Sequence, residues 1–578
     1  MLNQIVKLRS NLLEISGKKV DKYEIKINAI QNSLYGVDIE FDAVEIAKLR
    51  LWLSLIVDQE TEGNKPRPLP NLNFHLRVGN SLVDTFDNIK LWNVRWRGTK
   101  KEKKVDNQIN IFNVDTVAEI MYRLKNAKNE FFNTSNEQRK NELSKQIERE
   151  QIELIRAELV SQGKFALFDQ IDDMLKRKTK PFFIWELEFE EVFENGGFDI
   201  VIGNPPYGLV NKKQNKSDTI VVSEAELSLY KTDDIYKPAK GGVINIYRLF
   251  ICKSIDLLKD KGCLNLIFPM AFMGDLTASA LRKFIFNNMK INYIEAFPER
   301  DDINKRVFQS AKMSVCILNA TKAKLDSKLK MRIQDNRFVN LSYPYVEMDT
   351  KDLKVIEPKG YTIPLVNQRE YDLLRQLNEN TRKLVSYSKC YTGEIDLSLN
   401  KKFYGLIKND TPLLRGAQVQ RWHITEKISQ GELLYINKPL YLSENSSPKS
   451  RHYKNKRIVM QGITGVNEKY RLKMTMIENN EFCANSVNYL VLENDDENQL
   501  LYLLGILNSS LINWYFKKFS TNSNVNGYEI DNIPIMEDDN YRNELIDLVR
   551  NQLKNSSEER ENKINNLVLK IYNIKNFM

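Results

Sequence analysis

WELEFEEVFENGGFDIVIGNPPYG, residues 185–208, sets a six-residue apolar run, Phe198–Gly203, directly before a rigid tetrapeptide, Asn204-Pro205-Pro206-Tyr207. The run reads as a buried strand closed by glycine, and the paired prolines fix φ near −65° in the turn that follows. In open α/β sheets ligands bind beyond the carboxyl ends of strands, so the turn lies where chemistry is expected. Working outward, Leu34–Ile39 predicts a second strand leading into the helix DAVEIAKLRLWLSLIV. Leu72 to Val78 predicts a third, ending in Gly79-Asn80-Ser81-Leu82. Downstream, a helix over Ile246–Leu258, a strand over Cys263–Phe268 and another over Met313–Ala320 continue the alternation. Short apolar strands alternating with helices predict an α/β fold with a mostly parallel sheet covered on both faces.

Residues 2–33 read as mostly helical, with apolar positions at Leu2, Ile5, Leu8, Leu12 and Leu13. Residues 84–195 form a polar excursion whose Glu-, Lys- and Gln-rich middle reads as a solvated helical hairpin inserted in a loop. From about 350 the pattern changes to short, interrupted strands, and the chain ends in helices. The expected division is 1–345, an α/β domain with the helical insertion; 350–535, a mixed α+β region; and 536–578, a C-terminal helical segment.

The 578 residues, 42% of them hydrophobic, suit a folded chain of about two to four domains. No stretch approaches the roughly 20 apolar residues of a membrane helix, and MLNQIVKLRSNLLEISGKK lacks the apolar core of a signal peptide. A cytoplasmic location is the expectation. Five cysteines and three histidines are scattered without metal spacing, which predicts reduced thiols and no metal site. A formal charge of +10 suits a polyanionic partner without identifying one.

The turn has a specific chemistry. The lone pair of a nucleobase amine is delocalised into its ring, so the amine is a poor nucleophile. The side-chain oxygen of Asn204 can accept one of its N–H bonds and the Pro205 carbonyl the other. Acceptors placed out of the amine plane favour a tetrahedral nitrogen and free the lone pair for attack on a sulfonium methyl; this is electrostatic preorganisation. Pro206 stiffens the turn, and Tyr207 offers a flat face to the base, where stacking is worth about 1–3 kcal/mol.

On these residues the chain resembles the amino-group DNA methyltransferases, and residues 30–535 resemble the TaqI-like and type IIG restriction–modification adenine methylases. The resemblance implies a Rossmann-like methyltransferase domain using S-adenosylmethionine, followed by a DNA target-recognition domain. It implies that Asp38 holds the cofactor ribose, that Ile39 and Phe250 pack on its adenine, and that Asn80, where aspartate is common, reads the adenine amine. It further implies that Phe308 stacks on the target base opposite Tyr207, once the base has been flipped from the duplex. In the C-terminal half, YTGEIDLSLNKKFYGLI, TPLLRGAQVQRWHI and LGILNSSLINWYFKKFSTNSNVNGYEIDNIPI resemble the target-recognition domain. Arg415, Arg421, Lys456 and Arg457 are its candidate DNA contacts.

One element departs from the pattern. The Gly-rich loop that approaches the methionine portion should precede Asp38, yet the only glycine before Gly36 is Gly17. The expectation is a chain that begins after the first strand and loop. Either a partner polypeptide supplies them, with or without a nuclease, or the chain is truncated and deficient in cofactor binding. The expected function is methyl transfer to adenine N6 in duplex DNA within a restriction–modification or phage-defence system. The rivals are a catalytically deficient DNA-recognition subunit and a methylase of RNA or protein glutamine; cytosine N4 is a variant of the main reading.

Overall fold

In the computed structural model, which describes residues 1–57, 72–86, 89–91, 111–134, 136–175, 181–213, 219–323, 328–408, 411–426, 432–465, 468–520, 523–575 and 577, the N-terminal apolar run folds as two helices. They are α1 (Leu2–Ile15) and α2 (Lys22–Ser33). The mostly helical expectation holds, and the span is divided in two because Gly17 takes φ +69° and its N–H closes onto Glu14 as a helix-terminating glycine does. Asp21 then starts α2 by accepting the Glu24 N–H. The described residues divide into two units, Met1–Leu266 and Ile267–Met578.

In the first unit β1 (Gly36–Asp38) and β2 (Leu76–Val78) pair in parallel, Gly36 opposite Leu76 and Asp38 opposite Val78. The helix between them, α3 (Phe41–Ile56), supplies the crossover that parallel neighbours require. Tyr23, Ile30, Leu34, Leu55 and Leu72 are buried together beneath it, each fully buried aliphatic side chain contributing about 1.5–3 kcal/mol.

The polar excursion contains α4 (Ile111–Asn133) and α5 (Glu137–Ser161). They are less solvated than expected. Leu124, Phe131, Leu143, Ile147, Leu154 and Leu159 are buried, and the Phe131 ring meets Phe74 edge-on at 4.6 Å. Buried Lys128 lies 3.5 Å from Glu190, while Gln151 and Arg77 both donate to Glu188. The hairpin is thereby docked against the end of β2, not extended into solvent.

The strand expected over Phe198–Gly203 forms with those bounds as β3, parallel to β4 (Leu258–Pro269), with Ile200 opposite Cys263 and Gly203 opposite Leu266. Gly197 makes this pairing possible: its φ is +120°, and a Cβ would lie 2.6 Å from the Leu257 carbonyl oxygen. Helices α6 (Glu224–Thr232) and α7 (Ile246–Leu257) fill the connection.

The second unit corrects the mostly parallel expectation. Strand β5 (Lys290–Phe297) pairs antiparallel with β6 (Val315–Thr321) and parallel with β7 (Lys328–Ile333), and β7 pairs antiparallel with β8 (Val346–Asp349). The fold is mixed α/β. No helix lies between β5 and β6 or between β7 and β8, and antiparallel neighbours need none.

Further along, β9 (Cys390–Thr392), β13 (Arg457–Gln461), β14 (Met474–Ile477) and β16 (Val487–Val491) form one antiparallel sheet. A second comprises β10 (Tyr404–Gly405), β11 (Thr411–Leu414), β12 (Leu434–Ile436) and β15 (Phe482–Cys483). The C-terminal apolar runs form α8 (Glu497–Leu507) and α9 (Ser510–Phe519), then α10 (Asp539–Lys554) and α11 (Glu558–Ile571). Asp496, Ser509, Asp538 and Ser557 cap their N-termini.

Glu529, in the short helix Gly527–Asp531, has its carboxyl pushed up to about 7, first by burial, against hydrogen bonds from Asn526 and attraction from Arg471. Folding therefore favours the protonated acid. This contribution is fully present below the ordinary value of 4.5 and is lost as pH rises through about 7. Gln at this position keeps the Asn526 capping box without the charge. Urea melts should show Glu529→Gln more stable than the unaltered chain by about 2–3 kcal/mol at pH 8, with the difference shrinking towards pH 5.

Candidate active site

The Asn204-Pro205-Pro206-Tyr207 turn leaves the carboxyl end of β3 with Asn204 and Pro206 exposed, Tyr207 half-buried and Pro205 buried. The Tyr207 hydroxyl donates to Asn204 Oδ1 at 2.7 Å. The chain is then pinned to the start of α7: Ile246 N–H donates to the Gly208 carbonyl at 3.0 Å and Val210 N–H to that of Ile244 at 2.8 Å. The turn is thus held between β3 and this pinned segment, with the Asn204 side chain at the surface.

A second part of the site lies at the ends of β1 and β2. Gly79 N–H donates to the Asp38 carbonyl at 2.9 Å, one step past the ladder, and brings Asp38 and Asn80 to one edge. Asp38 is exposed, with Oδ1 accepting the Glu40 N–H at 2.9 Å. Ile39 beside it is 52% exposed, an apolar surface of the kind a purine ring covers. Phe250 stands half-buried on α7, one helical turn after Ile246.

The Gly79–Asp84 loop is clamped from two sides. From one, Phe183 N–H donates to the Val83 carbonyl at 2.7 Å and the Trp185 indole to that of Ser81 at 3.1 Å. From the other, the Tyr236 hydroxyl donates to the Leu82 carbonyl at 2.5 Å, and Asn80 Nδ2 donates to Glu226 Oε1 at 2.9 Å. Asp84 is pushed up by burial, partly offset by Lys253 and Lys90. Glu226 escaped the sequence reading. The Ser223-x-x-Glu226 spacing signals a capping box, which the structure contains, but nothing local shows that the helix it starts reaches Asn80.

Phe308 belongs to the second unit, half-buried in a turn closed by Ala311 N–H on its carbonyl at 3.1 Å. Of the four basic candidates, Arg457 is corrected outright. It is 0% exposed at the start of β13, bonded to Glu394 and to the Glu481 carbonyl, with its guanidinium over Tyr489. Burial of a guanidinium demands such partners, so it is structural. Arg421 is likewise turned inward, donating to Glu561 and to the Asn508 carbonyl and lying 3.8 Å over the Tyr470 ring. Lys456 lies 2.5 Å from Glu497 and 3.3 Å from Glu478. Arg415 is half-buried and donates to the Glu432 carbonyl at 3.1 Å.

The residues singled out in the sequence thus lie at strand ends: an acceptor turn after one parallel strand, a carboxylate at the end of a second and an amide just after a third. Residues 32–308 are an Eco57I restriction-modification methylase domain and residues 411–535 a TaqI-like C-terminal specificity domain. A putative type II restriction enzyme and methyltransferase of Methanocaldococcus jannaschii is 25% identical over 585 residues, covering 89% of this chain and 45% of the relative. The type II methyltransferase M.HincII of Haemophilus influenzae is 28% identical over 198 residues, covering 33% of this chain and 37% of the relative. The type II restriction enzyme and methyltransferase RM.Eco57I of Escherichia coli is 22% identical over 385 residues, covering 66% of this chain and 28% of the relative. The chain spans less than half the length of each of these relatives.

Two substitutions check the packing described above. A Cβ at Gly79 would meet the Phe183 ring at 2.7 Å and the Phe182 carbonyl at 3.2 Å. Gly79→Ala should therefore destabilise the chain by about 1–3 kcal/mol in urea melts. Glu394→Ala, which strands the buried Arg457, should destabilise it by about 3–5 kcal/mol, with much of the loss recovered when Arg457→Met is added.

Proposed function

We propose that this chain transfers a methyl group from S-adenosylmethionine to adenine N6 within a short duplex sequence, as part of a restriction–modification or phage-defence system. The observation that carries the reading is the place of the Asn204–Tyr207 turn, at the carboxyl end of β3 and in the same unit as the Asp38–Asn80 edge. The residues at that edge fit the cofactor. Asp38 has one oxygen on Glu40 N–H and its carboxylate is otherwise exposed for ribose hydroxyls, and Ile39 offers an apolar surface. Asn80 lies beside them, and Phe250 stands on α7 in the same unit. When bound there, the cofactor supplies an electrophilic methyl group.

The remaining chemistry belongs to the chain. Asn204 Oδ1 exchanges the Tyr207 hydroxyl for one amine N–H of the target, the Pro205 carbonyl accepts the other, and the nitrogen lone pair is freed. Tyr207 stacks on the flipped base, and the family resemblance gives Phe308 a stacking role as well, which offsets an unstacking cost of about a few kcal/mol. The expected domain division, 1–345, 350–535 and 536–578, assigns recognition to the middle region, where Arg415 is the candidate DNA contact that survives best.

A second reading rests on the sheet. Among the described residues β1 pairs only with β2, and β3 has β4 as its one neighbour. Yet Tyr35, just before β1, and Phe198, at the start of β3, bring their rings to 5.8 Å. A further strand pairing with these edges, with a Gly-rich loop at its end, would complete the cofactor site. A catalytically deficient chain that needs a partner polypeptide for this strand is the alternative. It predicts weak cofactor binding by the chain alone; tight stoichiometric binding in calorimetry would eliminate it.

The main reading is tested by sequencing modified bases in cells that carry the intact locus. Asn204→Ala should lower adenine methylation at the recognition sequence by at least about a hundredfold. Methylation that persists unchanged removes the turn from the chemistry.

A further inference from the structure

Asn80 carries both an acceptor and a donor, and an exocyclic purine amine can use only the acceptor. In the structure its two ends are already assigned. Oδ1 accepts the Leu82 N–H at 3.2 Å, which fixes the side chain's orientation, and Nδ2 donates to Glu226 Oε1 at 2.9 Å. The donor that would repel an amine is thus turned away and covered by a carboxylate. The acceptor oxygens of Asn80 and Glu226 thus stand together directly after Gly79, whose N–H is bonded to the Asp38 carbonyl, and Glu226 adds a carboxylate to them.

That carboxylate is held in place by the fold. Its other oxygen, Oε2, accepts the Ser223 N–H and the Ser223 hydroxyl, both at 2.8 Å, in the capping box that begins α6. One turn later Tyr230 is buried, its phenol pushed upward by burial and then by the charge of Glu226. Beyond α6, Tyr236 ties the chain to Leu82, two residues from Asn80. Glu226 itself remains half-buried, so one side of it faces solvent.

We propose that Glu226 is a specificity-determining residue of the cofactor site: its Oε1, with Asn80 Oδ1, accepts the 6-amino group of the cofactor's purine and rejects a 6-oxo group. The assignment rests on the cofactor reading proposed above and adds to it a residue from a distant segment. A 6-amino purine presents donors to this edge and is held by a charge-assisted hydrogen bond. A 6-oxo purine presents an acceptor against two acceptors and a charge, and is repelled. The charge that an asparagine lacks at position 80 is restored from α6.

The test compares S-adenosylhomocysteine with S-inosylhomocysteine, which differ in the 6-amino and 6-oxo groups, by ligand-observed NMR titration of the full chain. The unaltered chain should prefer the adenosyl ligand by at least about tenfold. Glu226→Gln keeps the capping box, so the thermal midpoint should hold while the preference falls to about twofold or reverses. Ser223→Ala weakens the cap but leaves the carboxylate, and should lower the midpoint while the preference survives. An unchanged preference in Glu226→Gln overturns the proposal while leaving the cofactor reading intact, as does a preference lost equally in Ser223→Ala. Failure of the unaltered chain to bind either ligand up to millimolar concentration removes the cofactor reading, and the proposal with it.

Discussion

The hydrogen bond from Gly79 N–H to the Asp38 carbonyl, 2.9 Å long, is the contact on which the site depends. It carries the β1–β2 pairing one step past the last paired residues and places an exposed carboxylate beside Asn80. The absence of a side chain at Gly79 matters for the same reason, since Phe183 occupies the space where a Cβ would stand. The loop that follows gains its order from polar contacts contributed by distant segments, Phe183 and Trp185 on one side and Glu226 and Tyr236 on the other. Leu82 and Val83 are buried there as well, while Asn80 and Ser81 remain half-exposed.

Charge in the specificity region follows a different logic. A basic, aromatic-rich sequence suggests a surface for DNA, but several of its strongest positive charges are consumed inside the domain. Arg457 is paired with Glu394 beneath the Tyr489 ring, and Arg421 reaches Glu561 and the Asn508 carbonyl. Arg471, 1% exposed, is bonded to Thr464 and Ser520. Removing a guanidinium from water is costly, so each of these draws carboxylates, hydroxyls or carbonyls around it and becomes part of the framework. Net charge therefore indicates the class of partner poorly and the contacting residue worse.

The sheet of the first unit is in two pieces, and its exposed apolar residues gather along them. Ile200 and Ile202, two residues apart on one face of β3, are 56% and 54% exposed, although the strand reads as fully buried in sequence. Ile46, Leu49 and Leu53 lie half-exposed along α3. Strand edges and apolar faces left open in this way are what proteins ordinarily cover.

Local pattern was enough for the elements that carry chemistry. The run FDIVIG forms a strand with the expected bounds, Ile246–Leu257 forms a helix, and the Asn-Pro-Pro-Tyr turn follows directly on the strand. The mostly helical reading of residues 2–33 holds as well, with Gly17 in a left-handed conformation at the break between the two helices. Sequence alone determined these features because each depends on backbone stereochemistry and hydrophobic spacing within a few residues. Tertiary structure alone decided which strands run antiparallel, which arginines are buried, and that Glu226 meets Asn80 across 146 positions of chain. Those outcomes depend on pairing and desolvation between segments far apart in the chain, and no local window of residues contains both partners.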